Sequence, residues 1–171
     1  GDKTMCGAYR SIGINRNDVM TLIQMRPEGG TAYGTLEWVA YASNAFNTMV
    51  PFYADVDETP EYLANTTGEV STENFYWTSR MIAAMADASY GKSLFHVEHY
   101  QENVLAKSHA LINQYDALLA DEKDPEKQME LKRKANRKVA EMVQKEASAT
   151  LKKVLYELSN QMKNSYARSD V

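Results

Sequence analysis

The pattern of hydrophobic and polar residues divides the chain into a β-rich first third and a helical remainder. Alternating apolar residues predict four strands, at Tyr9–Ile14, Val19–Met25, Gly34–Tyr41 and Phe46–Tyr53. Successive side chains of a strand point to opposite faces, which is why alternation indicates a sheet. Polar residues 15–18 fit the loop of a hairpin between the first two strands. Pro51 lacks a backbone donor and is expected at an edge position or at a strand end.

From Asp55 onward, apolar residues recur at the three- and four-residue spacing of helices. Capping residues and this spacing predict four helices: a short one opened by Thr59 and Pro60, one from Thr72 to Gly91, one from Leu94 to Leu119, and a long one capped by Asp124 and Pro125 whose stripe reaches Met162. A short connection joins the two long helices, so they are expected to pack as an antiparallel pair. The chain is therefore predicted to be α+β, with a β-strand segment over residues 1–54 and a helical segment over residues 55–171.

Length and composition indicate about one globular domain, with 171 residues and a net charge of −4. The absence of a basic surface in the sequence argues against a nucleic-acid partner, and no apolar window approaches the ~20 residues of a membrane span. Lys132–Lys134, Arg137 and Lys138 lie among glutamates and are interpreted as a solvated helix face. The single cysteine, Cys6, excludes an intrachain disulfide and fits a reducing, cytoplasmic location.

The strand region contains an apolar run, Trp38–Ala54, in which Ser43, Asn44 and Asn47 are embedded. A buried amide without a partner costs about 1–3 kcal/mol, so either local turn structure or a substrate must bind these groups. Asn44 is the residue most naturally offered to a developing oxyanion, which a fixed amide donor stabilises. Arg10, in the first predicted strand, likewise needs an anion or a set of carbonyl groups. From residue types alone, Arg10 and Asn44 could each be catalytic or structural.

Three histidines on one predicted helix raise the question of a metal site. His96 and His99 stand about one turn apart, with Glu98 and Glu102 as further candidate ligands. Zinc pairs on helices more often use an i, i+4 spacing, and His109 lies well round the helix from His96. Solvated or core-edge histidines are therefore the favoured interpretation.

The remaining reactive residues also have structural explanations. Cys6 has Arg10 four positions away but no histidine near it, so a small buried residue explains it better than a nucleophile. Asp55 and Asp57 stand in a loop, where capping and solvation account for them. The sequence contains no glycine-rich phosphate loop opening a helix.

Several blocks of the sequence, in order, resemble the carboxy-terminal part of the bacterial cysteine dipeptidases of the dipeptidase A type. The blocks are Tyr9–Asn15, Ala42–Asn47, Val50–Ala54, Val70–Trp77, Met162–Asn164 and Arg168–Asp170. The resemblance implies part of the four-layer αββα sandwich of the N-terminal-nucleophile hydrolases, and cleavage of dipeptides without a metal or cofactor. It also implies a cysteine nucleophile at the mature N-terminus, whose own α-amino group handles the proton.

The opening residues Gly1–Thr4, followed by Arg10, also resemble the Gly-Asp-x-Thr…Arg stretch of the related penicillin and bile-salt amidases. There the arginine lies beside the nucleophile, where its charge favours the thiolate. The resemblance therefore makes Arg10 the best catalytic candidate of this chain. Asn44 is a second candidate, argued from its chemistry rather than from a motif.

The chain departs from this family in length, and Cys6 does not match the position of the nucleophile. Because the first residue is Gly1 rather than Met, we expect a carboxy-terminal fragment that binds dipeptides only together with the missing amino-terminal portion. Two alternatives stay open: a non-enzymatic interaction module that docks through the long helical pair, and a helical metal-binding protein built on His96 and His99. The sequence is compatible with a homo-oligomer.

Overall fold

The computed structural model describes residues 17–162, which form an α+β fold with a three-stranded antiparallel sheet in that range. The strands are β1 Val19–Met25, β2 Thr35–Tyr41 and β3 Val50–Tyr53, in the order β1-β2-β3. Val19 faces Tyr41 across the first strand pair. The α+β prediction is therefore confirmed, whereas the predicted strand Tyr9–Ile14 lies outside the described residues.

The helices of the described range are α1 Gly30–Tyr33, α2 Glu61–Ala64, α3 Phe75–Ala88, α4 Tyr90–Asp121 and α5 Pro125–Ser159. An ion pair joins Lys107 on α4 to Glu146 on α5 at 2.6 Å. A second contact joins His96 Nε2 to Glu157 Oε1 at 3.4 Å. Residue numbers rise along α4 as they fall along α5, so the predicted antiparallel pair is confirmed.

Capping side chains decide where the helices begin. Asn74 Oδ1 accepts a hydrogen bond from the backbone N–H of Trp77 at 2.9 Å. Because this bond satisfies a free donor of the first turn, α3 begins directly after Asn74 and not near Thr72 as predicted. The N–H of Ser89 then closes α3, so Gly91 lies in the first turn of α4 instead of ending the preceding helix.

The predicted starts of α2 and α5 lie within one residue of the observed ones, whereas α4 begins at Tyr90 and not at Leu94 as predicted. Asp124 Oδ1 accepts a hydrogen bond from the backbone N–H of Glu126 at 2.9 Å, which confirms the cap of α5. α2 begins one residue later than predicted, with Pro60 as the residue before the helix and not Thr59. Pro60 has the extended conformation that suits a chain entering a helix.

The connection between β2 and β3 corrects the predicted fourth strand, Phe46–Tyr53. The backbone N–H groups of Phe46 and Asn47 both donate to the carbonyl oxygen of Ser43, each at 3.0 Å. These bonds close a turn, which prevents the same residues from pairing with β2. Residues 42–49 therefore form what we call the β2–β3 turn, and strand pairing begins only at β3. Since β3 lies at an edge of the sheet, the expectation for Pro51 is confirmed.

Helices cover the sheet on both faces at β2 and β3. One cluster of buried side chains joins the sheet to α3, α4 and α5, and includes Val39, Phe52, Phe75, Val97 and Val143. A second cluster lies on the opposite face and includes Leu36, Tyr53, Ile112, Tyr115 and Leu119. Burying each of these larger side chains contributes about 1.5–3 kcal/mol, so packing of the helices on the sheet is the main source of stability.

β1 is the strand that the helices leave uncovered. Val19, Leu22, Ile23 and Met25 are 53%, 51%, 55% and 71% exposed. The edge of β1 away from β2 pairs with no strand within residues 17–162, and a second sheet is not found among these residues. The αββα sandwich therefore stays a proposal.

A buried polar network ties the sheet to α4. Arg26 Nη1 and Nη2 donate to the two carboxylate oxygens of Asp116 at 2.5 and 3.1 Å. The hydroxyl of Tyr53 donates to the same carboxylate at 2.8 Å. Burial raises the pKa of Tyr53 far above its ordinary value, and the adjacent Asp116 carboxylate raises it further. The Tyr53 hydroxyl is therefore a fixed hydrogen-bond donor that joins β3 to α4.

Lys132 corrects the prediction of a uniformly solvated basic face on α5. It is 3% exposed, and its ammonium donates to Asp55 Oδ2 at 2.5 Å and to the carbonyl oxygen of Thr31 at 3.0 Å. Arg133, one position on, makes a two-bond contact with Asp57 at 2.7 Å. The loop after β3 folds over this part of α5, which buries Lys132 and gives both aspartates a cationic partner. Lys134 and Lys138 are exposed as predicted.

Candidate functional site

A cleft of about 530 Å³ lies between α3, the β2–β3 turn and the residues that lead into β1. The α3 wall consists of Arg80, Ala83, Ala84 and Asp87. The facing wall includes Asn17, Asp18, Ala42, Ser43 and Phe46. Cavities of roughly 300–1,000 Å³ hold small molecules in proteins, so the cleft is large enough for a small ligand.

The aromatic end of α3 holds this helix against the sheet. Phe75 is fully buried, and its ring centroid lies 5.3 Å from that of Tyr41 on β2 and 5.8 Å from that of Tyr62 on α2. Aromatic pairs at this separation contribute about 0.5–1.5 kcal/mol beyond their buried area. Further along α3, Ala83 and Ala84 present only methyl groups to the cleft, which leaves space between the helix and the turn.

Arg80 supplies the positive charge of the cleft. Its Nη1 donates to Asp18 Oδ1 and to the hydroxyl of Tyr76, the latter at 3.1 Å. The guanidinium carbon lies 5.5 Å from the ring centroid of Tyr76 and 5.9 Å from that of Trp77. These contacts fix the guanidinium over the rings. Nε and Nη2 make no hydrogen bond to another residue of the described part, so these two nitrogens remain available to an anionic ligand.

The β2–β3 turn gives the facing wall its shape. Ala42 lines the cleft with φ of 67°, in the left-handed region that favours glycine. Its carbonyl oxygen accepts a hydrogen bond from Asn47 Nδ2 at 3.1 Å. Gln101 on α4 then donates to the backbone carbonyl oxygen of Asn47 at 2.8 Å. The unusual backbone of Ala42 is therefore held by a buried amide from the same turn.

The structure separates the amides that the sequence analysis grouped together. Asn47 is 6% exposed, and its side chain is bound within the turn. Asn44 is partly exposed and does not line the cleft, although Ser43 and Ala45 on either side of it do. Arg10 lies outside the described residues. The roles of Arg10 and Asn44 in catalysis therefore stay predictions.

Replacing Asn47 by alanine is expected to lower the free energy of unfolding by about 1–3 kcal/mol, because the buried Ala42 carbonyl would lose its partner. Asn44→Ala is the matched control, since the Asn44 side chain makes no hydrogen bond to a residue within 17–162. We expect a change of about 0.5 kcal/mol or less for Asn44→Ala. Urea denaturation of the two variants measures the difference, and equal effects would contradict the structural role of Asn47.

Sequence reasoning did not single out Arg80 or Asp87. A signal was present, because they are the only charged residues in the sequence of α3, FYWTSRMIAAMADA. They stand seven positions apart, which is close to two helical turns, so they share one face of the helix. What the sequence could not indicate is that this face borders a cleft and not bulk solvent.

The histidines do not assemble a metal site in the described residues. Within 17–162, no group of three or more His, Cys, Asp or Glu residues is placed to hold a metal ion. His96 contacts Glu157, whereas the ring of His109 lies 5.7 Å from that of Trp38. The hypothesis of a helical metal protein built on His96 and His99 therefore gains no support. No helix in the described part is long and apolar enough to cross a membrane.

Comparison with known proteins identifies the family. The family model described as peptidase family C69 matches residues 1–103. Probable dipeptidase A of Streptococcus pyogenes serotype M18 (strain MGAS8232) is 41% identical over 164 residues, which cover 95% of this chain and 33% of that protein. The dipeptidase of Bifidobacterium longum (strain NCC 2705) is 35% identical over an alignment of 208 positions, which covers 99% of this chain and 39% of that protein. This chain thus spans between a third and two fifths of the length of these relatives. Since the family match covers more than half of its residues, the chain belongs to peptidase family C69.

Proposed function

We propose that this chain is the carboxy-terminal part of a cysteine-type dipeptidase and forms one wall of the site that binds the dipeptide. The observation that carries the proposal is the similarity to proteins named as dipeptidases over 95% and 99% of the chain. The position of the cleft adds support. All residues that line it fall within the stretch matched by the family model, residues 1–103.

In this proposal the nucleophile is a cysteine outside this chain, at the mature N-terminus of the whole enzyme. Its thiolate attacks the scissile carbonyl carbon, and its α-amino group carries the proton to the leaving amine; water then hydrolyses the thioester. We assign to Arg10 the role of lowering the pKa of this thiol through its positive charge. Asn44 is the second proposed catalytic residue, because a preorganised amide donor stabilises an oxyanion by about 3 kcal/mol, although Asn44 itself does not line the cleft within the described residues.

The test is an activity assay on the protein extended upstream to the length of its relatives. We expect hydrolysis of simple dipeptides with free termini, and loss of that activity after treatment with iodoacetamide, which alkylates the thiolate. Arg10→Gln and Asn44→Ala are each expected to lower kcat by about 100-fold or more. Arg137→Gln is the control, because Arg137 on α5 pairs with Glu58 and Glu130, and none of these residues lines the cleft. An extended protein without thiol-sensitive dipeptide hydrolysis would overturn the proposal.

The alternative of a non-enzymatic interaction module that docks through α4 and α5 has less support, because the relatives reported above are named as dipeptidases. A homo-oligomeric state and a cytoplasmic location stay predictions of the sequence.

A further inference from the structure

The two charged residues of α3 lie at opposite ends of the cleft wall. Arg80 and Asp87 both line the cleft, and Ala83 and Ala84 lie between them. Seven positions of an α-helix correspond to about 10 Å along its axis and a rotation of only about 20° away from the same face. The wall therefore presents a positive group, an apolar stretch and a negative group in a line.

The contacts of Arg80 lengthen the distance between the two charges. Its guanidinium lies over the rings of Tyr76 and Trp77, which precede it on α3 by four and three positions. The positive group is therefore displaced away from Asp87, toward the start of the helix. Asp87 has a short side chain and makes no ion pair with another residue of the described range. Its carboxylate stays near its own turn of α3.

An extended dipeptide is comparable in length to the wall between these two charges. Its ammonium nitrogen and its carboxylate carbon lie about 7 Å apart, because each residue spans at most about 3.6 Å. A charge-assisted hydrogen bond of about 2.8 Å at each end brings the span between the protein groups to about 12–13 Å. A tripeptide adds up to about 3.6 Å to that span.

We infer that Arg80 binds the α-carboxylate and Asp87 the α-ammonium group of the dipeptide, so that the α3 wall selects dipeptides by the distance between their termini. The inference rests on the proposed function and assigns the specificity-determining residues of that same site. Asp18 keeps its bond to Arg80 Nη1, while Nε and Nη2 take the two oxygens of the substrate carboxylate. The methyl groups of Ala83 and Ala84 leave room for the peptide backbone between the two charges.

The experiment uses the protein extended to the length of its relatives, with three substrates: a dipeptide, its carboxy-terminal amide and its N-acetyl derivative. Arg80→Gln is expected to lower kcat/KM for the free dipeptide by about 10- to 100-fold, the equivalent of one charge-assisted contact, and to leave the amide substrate unchanged. Asp87→Asn is expected to lower kcat/KM for the free dipeptide similarly and to leave the N-acetyl substrate unchanged. Arg80→Lys keeps the charge without the planar fork and should recover part of the loss.

A binding measurement separates this inference from the proposed function. Calorimetry with a ketomethylene dipeptide isostere, which cannot be hydrolysed, should show weaker binding to both variants than to the wild type, and equal binding to Arg137→Gln. Hydrolysis by the wild type with no substrate-dependent effect of either variant would overturn the inference and leave the proposed function standing. Isostere binding that depends on Arg80 and Asp87, without any hydrolysis, would support the inference and overturn the proposed function. Absence of both binding and hydrolysis would overturn both.

Discussion

Asp116→Ala is expected to lower the free energy of unfolding by about 3 kcal/mol, because it leaves a buried cation without its partner. The carboxylate of Asp116 accepts hydrogen bonds from Arg26 at 2.5 and 3.1 Å and from the hydroxyl of Tyr53 at 2.8 Å. The Arg26 side chain is only 10% exposed, so water replaces the lost carboxylate poorly. Urea denaturation followed by circular dichroism measures the change.

Two variants make the Asp116 result specific. Asp116→Asn keeps an oxygen acceptor in the same place and is expected to lose less stability than Asp116→Ala. Arg137→Gln breaks two exposed ion pairs, to Glu58 and to Glu130, and should leave the free energy of unfolding close to that of the wild type. If Asp116→Ala were as stable as Arg137→Gln, the Arg26–Asp116–Tyr53 network would not hold β3 on α4.

Asn136→Ala is expected to lower the free energy of unfolding by about 2–4 kcal/mol, because it leaves two buried backbone groups unsatisfied. Asn136 Oδ1 accepts from the N–H of Tyr53 at 2.8 Å, and Asn136 Nδ2 donates to the carbonyl oxygen of Tyr53 at 3.0 Å. The two residues are 2% and 1% exposed. On this edge of β3 the side chain takes the place of a neighbouring strand.

Thermal or urea unfolding of Asn136→Ala should be compared with that of Asn160→Ala. Asn160 is exposed at the end of α5, and only its backbone N–H contributes to the cap, so its replacement is expected to change little. Asn136→Asp retains the acceptor for the Tyr53 N–H but loses the donor, so its free energy of unfolding is expected to be lower than that of the wild type. If Asn136→Ala were as stable as the wild type, the hydrogen bonds of Asn136 to the Tyr53 backbone would not stabilise the edge of β3.

Most of the secondary structure follows from local signals in the sequence. Strand β1 has the predicted bounds, Val19–Met25, because an alternating run ends at Pro27, where the ladder cannot continue. The cap at Asp124 and the proline after it place the start of α5 without help from any long-range contact. Signals of this kind act between neighbours in the chain, which is why they can be recognised without the fold.

The errors arise where a long-range contact changes the role of a residue. Lys132 belongs to a basic run that is typical of a solvent-exposed helix face, but the loop after β3 covers it. The apolar residues before β3 are typical of a strand, but hydrogen bonds to Ser43 close a turn instead. In both cases the residue type was interpreted correctly, but the sequence pattern does not show which distant residues it contacts.

The sequence by itself determined the α+β class, the antiparallel helical pair and the family, because these depend on periodicity, caps and ordered blocks of residues. Only the tertiary structure forms the cleft that we propose as the ligand site. Asp18 and Arg80 are 62 positions apart, and they meet because α3 packs beside the β2–β3 turn. Likewise, only packing distinguishes the buried amide of Asn47 from the partly exposed one of Asn44. The physical reason is that burial and charge pairing depend on contacts between distant segments, which no local pattern in the chain encodes.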